Sequence, residues 1–350
     1  MKKSHNKQPL VSISIPVYNA EKTIAKTVQS ILDQTYQNLE IIIVDNASTD
    51  STLKILQKFK DPRIKIYKNE KNIGAEKNFS KCVRLANGEY TAIFHADDVY
   101  LSTMVEKQIE IFQNNPNIGA VFTMANKINT HGEIIGETKL PPKLKNKEYY
   151  HFNEIFISIL EYGNFLVTPS AMVKSRIYKK MIPFNEEKFA TSADLDMWLR
   201  ILEKYPITVI DEKLMNYRIS YQQGSYQLRR TRTEQADFFK VINHYLSIKY
   251  DTINIPIDIL KKYELLIQVD KIRCAINFLT KNKPKEAKKL LRNSFSIELF
   301  KVAMKNNKKI YFITYFIIGA ILLLSIHLKL GHYFGKIAHN LRYKWKMRFV

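Results

Sequence analysis

The first hundred residues alternate two patterns of apolar positions. Residues 11–18, 39–44, 64–67 and 90–94 are apolar runs of strand length. Between them, residues 21–34, 52–60 and 75–86 carry apolar side chains at helical spacing, as at Ile24, Val28, Ile31 and Leu32. The run over 39–44 reads as a strand buried on both faces. Residues 46–50 offer turn chemistry and helix N-caps, and Asn87-Gly88 reads as a helix stop. Such alternation predicts an α/β fold, a parallel sheet covered by helices.

The next stretch is less regular. It predicts helices over 103–113, 152–160 and 196–204 and strands over 120–128 and 207–210. From Arg229 the pattern is almost wholly helical, with no glycine until Gly319. The expected organisation is a tail (1–9), an α/β domain (10–225), a helical region (226–305) and a basic, apolar tail (306–350).

Composition adds a partner. The 350 residues carry 55 Lys and Arg against 33 Asp and Glu, a net charge of +22. Such an excess suits an anionic substrate, a polyanion or a membrane surface. Residues 301–350 hold ten Lys and Arg and no carboxylate, around an uncharged apolar run at 310–328. Its 19 residues just reach the ~17–25 needed to span a bilayer. Basic flanks on both sides give no orientation signal, so a helix lying in or along the cytoplasmic leaflet is expected, with a core helix and a true span as alternatives. Residues 11–18 alternate with serines and contain Pro16, which is not a secretory signal core. Two cysteines fit a reducing cytosol.

In an open parallel sheet, ligands sit beyond the carboxyl ends of the strands. The second strand ends in Asp45-Asn46 and the fourth in His95-Ala96-Asp97-Asp98. A lone Asp45 is equally a helix cap, and Asp97-Asp98 alone could be a solvated acidic turn. Adjacent carboxylates are otherwise held together by a hard cation, Mg²⁺ or Mn²⁺, and Mg²⁺ is typically shared with substrate phosphates. A diphosphate substrate follows. The first strand leads into Pro16-Val17-Tyr18-Asn19-Ala20, with no glycine-rich phosphate cradle.

Five blocks together resemble a family 2 glycosyltransferase of the GT-A fold. They are Ile15 to Asn19, Ile43 to Asp50, Asn72-Ile73-Gly74 with Asn78, Asn87 to Tyr90 leading into Asp97-Asp98, and Asp194 to Arg200. The resemblance covers residues 10–220 and implies inverting transfer of a sugar from a nucleotide-diphosphate donor. It implies that Pro16, Tyr18, Asn19, Asn72, Asn78, His95 and Ala96 border the nucleotide, and that Asp45 accepts from the uracil N–H. Asp97 matches the metal-binding aspartate, with Asp98 beside it. His95 stands where the family commonly has a further aspartate. Asp194 takes the place of the general base, and Asp196 that of a helix cap or a backbone holder. Ala193 replaces the family's glutamate.

Arg218 is expected as a phosphate contact or a surface ion pair, and Ser220 replaces a histidine common in the family. Trp198 and Trp345 could stack on sugar, although the pattern around Trp198 favours core packing. Thr168-Pro169-Ser170 lines the acceptor pocket or is a plain turn. Residues 227–231 lack the Gln-x-x-Arg-Trp sequence of processive synthases, so one sugar per acceptor is expected. The acceptor is expected to be a lipid-linked or surface glycan, and the location the inner face of the plasma membrane. Departures at His95, Ala193 and Ser220 leave an inactive sugar-binding module as the alternative. Nucleic-acid binding is disfavoured, because the charge lies beside an apolar run.

Overall fold

Strand β2, Leu39–Asp45, is buried along its whole length. Ile41 and Ile43 join the main core on one face, while Ile42 and Val44 pack with Cys82 and Ala86 on the other. This is the double-sided burial its composition predicts. One polar residue interrupts the run. Glu40 is 5% exposed and accepts from the Ser12 hydroxyl at 2.6 Å and the Asn87 N–H at 2.7 Å. Lys65 completes the set at 3.0 Å.

The computed structural model describes residues 8–220, 230–292, 294, 296–306 and 308–349, with side chains described as far as 342. Most of the 1–9 tail, residues 227–229 and the Trp345 side chain lie outside the described residues.

Two compact units form: residues 1–155 with 164–219, and 156–163 with 220–350. In the first, β1 (Val11–Val17) lies between β2 and β4 (Tyr90–Ile93), and β3 (Ile64–Lys68) flanks β2, all parallel. Helices α1 (Ile24–Leu32), α2 (Thr52–Leu56) and α3 (Ala75–Leu85) connect them. The chain continues through β5 (Val99–Tyr100), α4 (Met104–Asn114), β6 (Ala120–Ile128) and β7 (Ile134–Glu137). After α5 (Phe152–Tyr162), most of which belongs to the second unit, come β8 (Met172–Lys174), α6 (Ser175–Met181), α7 (Glu186–Phe189), α8 (Ala193–Leu202) and β9 (Ile207–Arg218). The strand order is β3-β2-β1-β4-β8-β6-β9-β5, with β7 on β6.

The sheet is mixed rather than wholly parallel, because β8 pairs antiparallel with both β4 and β6, and β5 with β9. Strand β9 runs twelve residues, far beyond the expected 207–210. Its polar middle, Asp211-Glu212-Lys213, hides the strand from a pattern of apolar positions. Helix α3 ends at Leu85, just before Asn87-Gly88, and Gly88 serves a second purpose without taking a left-handed φ. A Cβ there would lie 2.6 Å from the Leu10 carbonyl oxygen and 2.7 Å from the Ser12 nitrogen, so glycine permits the close pass along β1.

The second unit contains α9 (Asp237–Lys249), α10 (Ile257–Thr280), α11 (Pro284–Arg292), α12 (Ile297–Lys305), α13 (Lys309–His327) and α14 (Gly331–Phe349). Residues from α10 through α14 share one core, including Leu265, Ile276, Phe312, Phe316 and Ala338. Six of the 19 residues of α13 are buried, and Phe312, Tyr315, Phe316 and Leu322 among them belong to that core. Among the described residues, α13 is the one helix long and apolar enough to cross a bilayer.

Candidate active site

The carboxyl ends of β1, β2 and β4 converge on one edge. Register pairs Val17 with Asp45, and the Asn46 N–H donates to the Val17 carbonyl at 2.8 Å. Asn19 clasps the two loops: its N–H donates to Ser48 Oγ at 3.0 Å, and its Oδ1 accepts from the Thr49 N–H at 2.8 Å. Asn19 and Ala47 both take positive φ, 49° and 60°. For alanine that conformation is strained, and such strain gathers at functional sites. Tyr18 is 48% exposed beside this clasp, and Pro16 is half-buried behind it. Asp45 is fully enclosed, with both carboxylate oxygens accepting from the Ser48 N–H at 3.3 and 3.2 Å.

Asn72 and Asn78 separate in role. Asn72 Oδ1 accepts from Asn46 Nδ2 and from the Gly74 N–H, both at 2.9 Å. Gly74 has φ 86° and opens α3, a conformation that favours glycine. Asn78 is 2% exposed; its amide donates to the Val44 carbonyl and accepts from Asn69 Nδ2. It therefore lies beneath the edge, where its amide ties the Val44 carbonyl of β2 to Asn69 beyond β3. Asn69, which no motif singled out, links Asn46 to Asn78 at 2.9 Å each.

The loop after β4 carries the acidic cluster. Ligand atoms of His95, Asp97 and Asp98 all lie within 4.8 Å of one another. The loop is tied to α1 by Thr23 and Thr27, whose hydroxyls donate to the Ala96 carbonyl at 2.9 and 3.0 Å. Thr27 also donates to the Asp98 carbonyl at 2.7 Å. Their only signal in the sequence is an i, i+4 pair of polar residues on the buried side of an amphipathic helix. Asp98 is fully buried, and its Oδ1 accepts from the Arg218 N–H at 2.7 Å. Burial first, and the Asp97 charge second, push its carboxyl well above the usual carboxylate range.

Asp98 Oδ2 and His95 Nε2 are buried without a hydrogen-bond partner, and Oδ2 lies 4.0 Å from His95 Nδ1. Two orphaned buried atoms beside a second carboxylate are a donor set that fits a divalent cation. Burial holds His95 below the usual imidazole value, opposed by the charges of Asp97 and then Asp194.

Arg218 is 6% exposed. Its Nε donates to the Asp97 carbonyl at 2.7 Å and its Nη1 to the carbonyls of Asn129 and Thr130 at 2.8 and 3.2 Å. The end of β9 thus delivers a buried brace for the acidic loop rather than a surface ion pair.

Asp194 sits in the first turn of α8, where the helix N-terminus favours negative charge. It accepts from the Thr168 hydroxyl at 2.6 Å, and Trp198 Nε1 donates to the same hydroxyl at 3.2 Å. Trp198 is 1% exposed against Phe122 and Tyr178, a core residue as its spacing predicts. Asp196 does not cap the helix. It is 2% exposed and pairs with Arg200 at 2.9 Å, which in turn donates to the Met181 and Pro183 carbonyls.

The profile of glycosyl transferase family 2 matches residues 12–176. An uncharacterized glycosyltransferase of Methanocaldococcus jannaschii is 35% identical over 250 residues, 69% of this chain and 82% of that one. The Escherichia coli UDP-Glc:alpha-D-GlcNAc-diphosphoundecaprenol beta-1,3-glucosyltransferase WfaP is 34% identical over 196 residues, 56% of this chain and 71% of its own. Among solved structures, Staphylococcus aureus TarS 1-349 with UDP-GlcNAc superimposes with a TM-score of 0.54 at 15% identity, covering 95% of this chain and 92% of that one. Of a longer TarS chain this one spans 54%. The GT-A sheet, the acidic loop beyond β4 and these likenesses agree, and the chain belongs to glycosyl transferase family 2 as a glycosyltransferase.

Proposed function

We propose that the chain moves one sugar, with inversion, from a UDP- or dTDP-sugar to a hydroxyl of a lipid-linked glycan. One observation carries this reading: ligand atoms of His95, Asp97 and Asp98 gather within 4.8 Å of one another on the loop beyond β4, in a chain of the glycosyltransferase family. The loops of Tyr18, Asn19 and Asp45 receive the nucleotide, with Asp45 accepting from the N–H of the base. His95, Asp97 and Asp98 hold the cation, and the imidazole nitrogen favours Mn²⁺ over Mg²⁺. When bound, that ion offsets the charge gathering on the leaving diphosphate.

Asp194 takes the proton of the acceptor hydroxyl as its oxygen bonds to the anomeric carbon. The bond from that carbon to the diphosphate oxygen breaks on the opposite face, and the nucleoside diphosphate leaves. Arg218 keeps the Asp97 backbone in place. WfaP and a second Escherichia coli relative, WfgD, are both named for a UDP-Glc donor and a diphosphoundecaprenol-linked acceptor. Those names support a prenyl-diphosphate-linked acceptor here, met at a membrane surface.

The test is UDP release from UDP-Glc, UDP-GlcNAc and dTDP-Glc with Mn²⁺ and a prenyl-diphosphate-linked GlcNAc acceptor. Asp97→Asn is expected to lose metal-dependent donor binding. Full donor affinity in that variant, or donor binding with no transfer or hydrolysis, would overturn the reading in favour of a sugar-binding module.

A further inference from the structure

Three neighbouring helices of the second unit leave apolar strips uncovered. On α13 these are Ile310, Ile317, Ile321, Leu324 and Leu328, at spacings of three, four and seven, so one face carries all five. Ile310 is 72% exposed and Leu324 62%. The opposite face, with Phe312, Tyr315, Phe316 and Leu322, is buried in the core shared with α10. On α12 the exposed strip is Ile297, Phe300 and Met304, and on α14 it is Tyr333, Ile337 and Leu341. Both helices pack on α13. Soluble proteins rarely leave apolar surface of this extent open.

Charge narrows the occupant. Lys301, Lys305, Lys308, Lys309, Lys329 and Lys336 are exposed around the strips, and the one carboxylate on these three helices, Glu298, is paired with Lys261 at 2.5 Å. In a two-fold dimer the same patch meets itself, so six lysines would face six lysines with only Glu298, already paired with Lys261, between them. A nucleic acid would match the lysines but leave the isoleucines and leucines in water. An anionic bilayer surface satisfies both, taking the apolar side chains below its headgroups and the ammonium groups among its phosphates.

We propose that the strips of α12, α13 and α14 form a monotopic docking surface for an anionic lipid bilayer, with α13 lying in the interface rather than crossing it. The face of α13 packed into the core shared with α10 is what prevents crossing: a spanning helix would have to abandon that core. This adds a contact surface to the membrane location proposed above and uses no residue of the sugar-transfer site.

The experiment is flotation of the full chain, without substrates, on vesicles of phosphatidylcholine alone or mixed with phosphatidylglycerol. Binding is expected only with phosphatidylglycerol, weakening with salt. Lys308→Glu/Lys309→Glu is expected to weaken it by more than ~10-fold, and Ile317→Glu/Leu324→Glu to abolish it. Unchanged helical circular dichroism and thermal midpoint in both variants show that they fold. Unaltered flotation of both folded variants would overturn the proposal. So would retention in vesicles through an alkaline carbonate wash, which marks a spanning helix. A wild-type dimer that Ile317→Glu/Leu324→Glu converts to monomer, with no vesicle binding by either, would make the face a self-interface instead. Because no sugar is present, failure of the transfer reaction leaves this test unaffected.

Discussion

Thr168 donates its hydroxyl hydrogen to Asp194 Oδ2 at 2.6 Å. The direction is forced, because Trp198 Nε1 donates to the Thr168 hydroxyl oxygen at 3.2 Å, an indole N–H only donates and a carboxylate only accepts. The buried tryptophan thus orients the hydroxyl, and the hydroxyl orients the carboxylate. A hydrogen bond to a charged group contributes ~1.5–3 kcal/mol. Thr168→Val is expected to lower kcat by ~10–100-fold on that scale with donor KM unchanged, while Thr168→Ser retains most of the rate. Steady-state kinetics with the donor varied checks this, and equal losses in both variants would remove the hydroxyl from the account.

Asp194→Asn keeps the shape but removes the basic oxygen. Transfer is expected to fall by ~10²–10⁴, the usual worth of a general base, while donor affinity measured by calorimetry hardly changes. Asp196→Ala is expected to act on stability instead. It strips the partner from Arg200 in a pair whose carboxylate side is 3% exposed. Breaking such a pair costs on the order of 3 kcal/mol, visible as a lowered denaturation midpoint. A well-folded Asp196→Ala enzyme without transfer activity, beside an active Asp194→Asn, would exchange the two assignments.

Gly88→Ala tests the close pass along β1. The added methyl carbon would meet main-chain atoms of Leu10 and Ser12, neither of which can rotate away. Overpacking of this kind costs ~1–3 kcal/mol or more. Expression of folded protein and its thermal midpoint should both fall, and an unchanged midpoint would show that the β1 edge gives way.

The second unit carries a pH dependence at His339. Its Nδ1 lies 3.3 Å from Asn277 Oδ1, and Arg230 Nε approaches its Nε2 at 3.5 Å, contacts that assign a neutral ring protonated on Nδ1. Burial first, then the charges of Arg342 and Arg230, lower its pKa to about 4. The folded value lies below the unfolded one of ~6.5, so the unfolded chain binds the extra proton. The contribution of this group is present above pH ~6.5 and is lost as pH falls toward about 4. Urea midpoints at pH 7 and pH 4.5 should therefore draw together for wild type and His339→Asn, relative to their separation at neutral pH.

The sequence by itself determined β1 to β4, the helices between them and the helical second half, because apolar period and turn chemistry act over a few residues. It also marked Asp97 and Asp194, whose positions at a strand end and a helix start follow from those elements. Only the tertiary structure decided how their neighbours are used. Asp98 is buried beneath Arg218 from 120 residues away, on the half of β9 that Asp211-Glu212-Lys213 conceals. Asn78 turns inward to β2, Thr168 meets Asp194 across 26 residues, and α13 keeps one face in a core while the other stays bare. Each of these depends on which surfaces meet when distant segments pack. Burial, hydrogen-bond partners and pKa are properties of that meeting, and no local period encodes them.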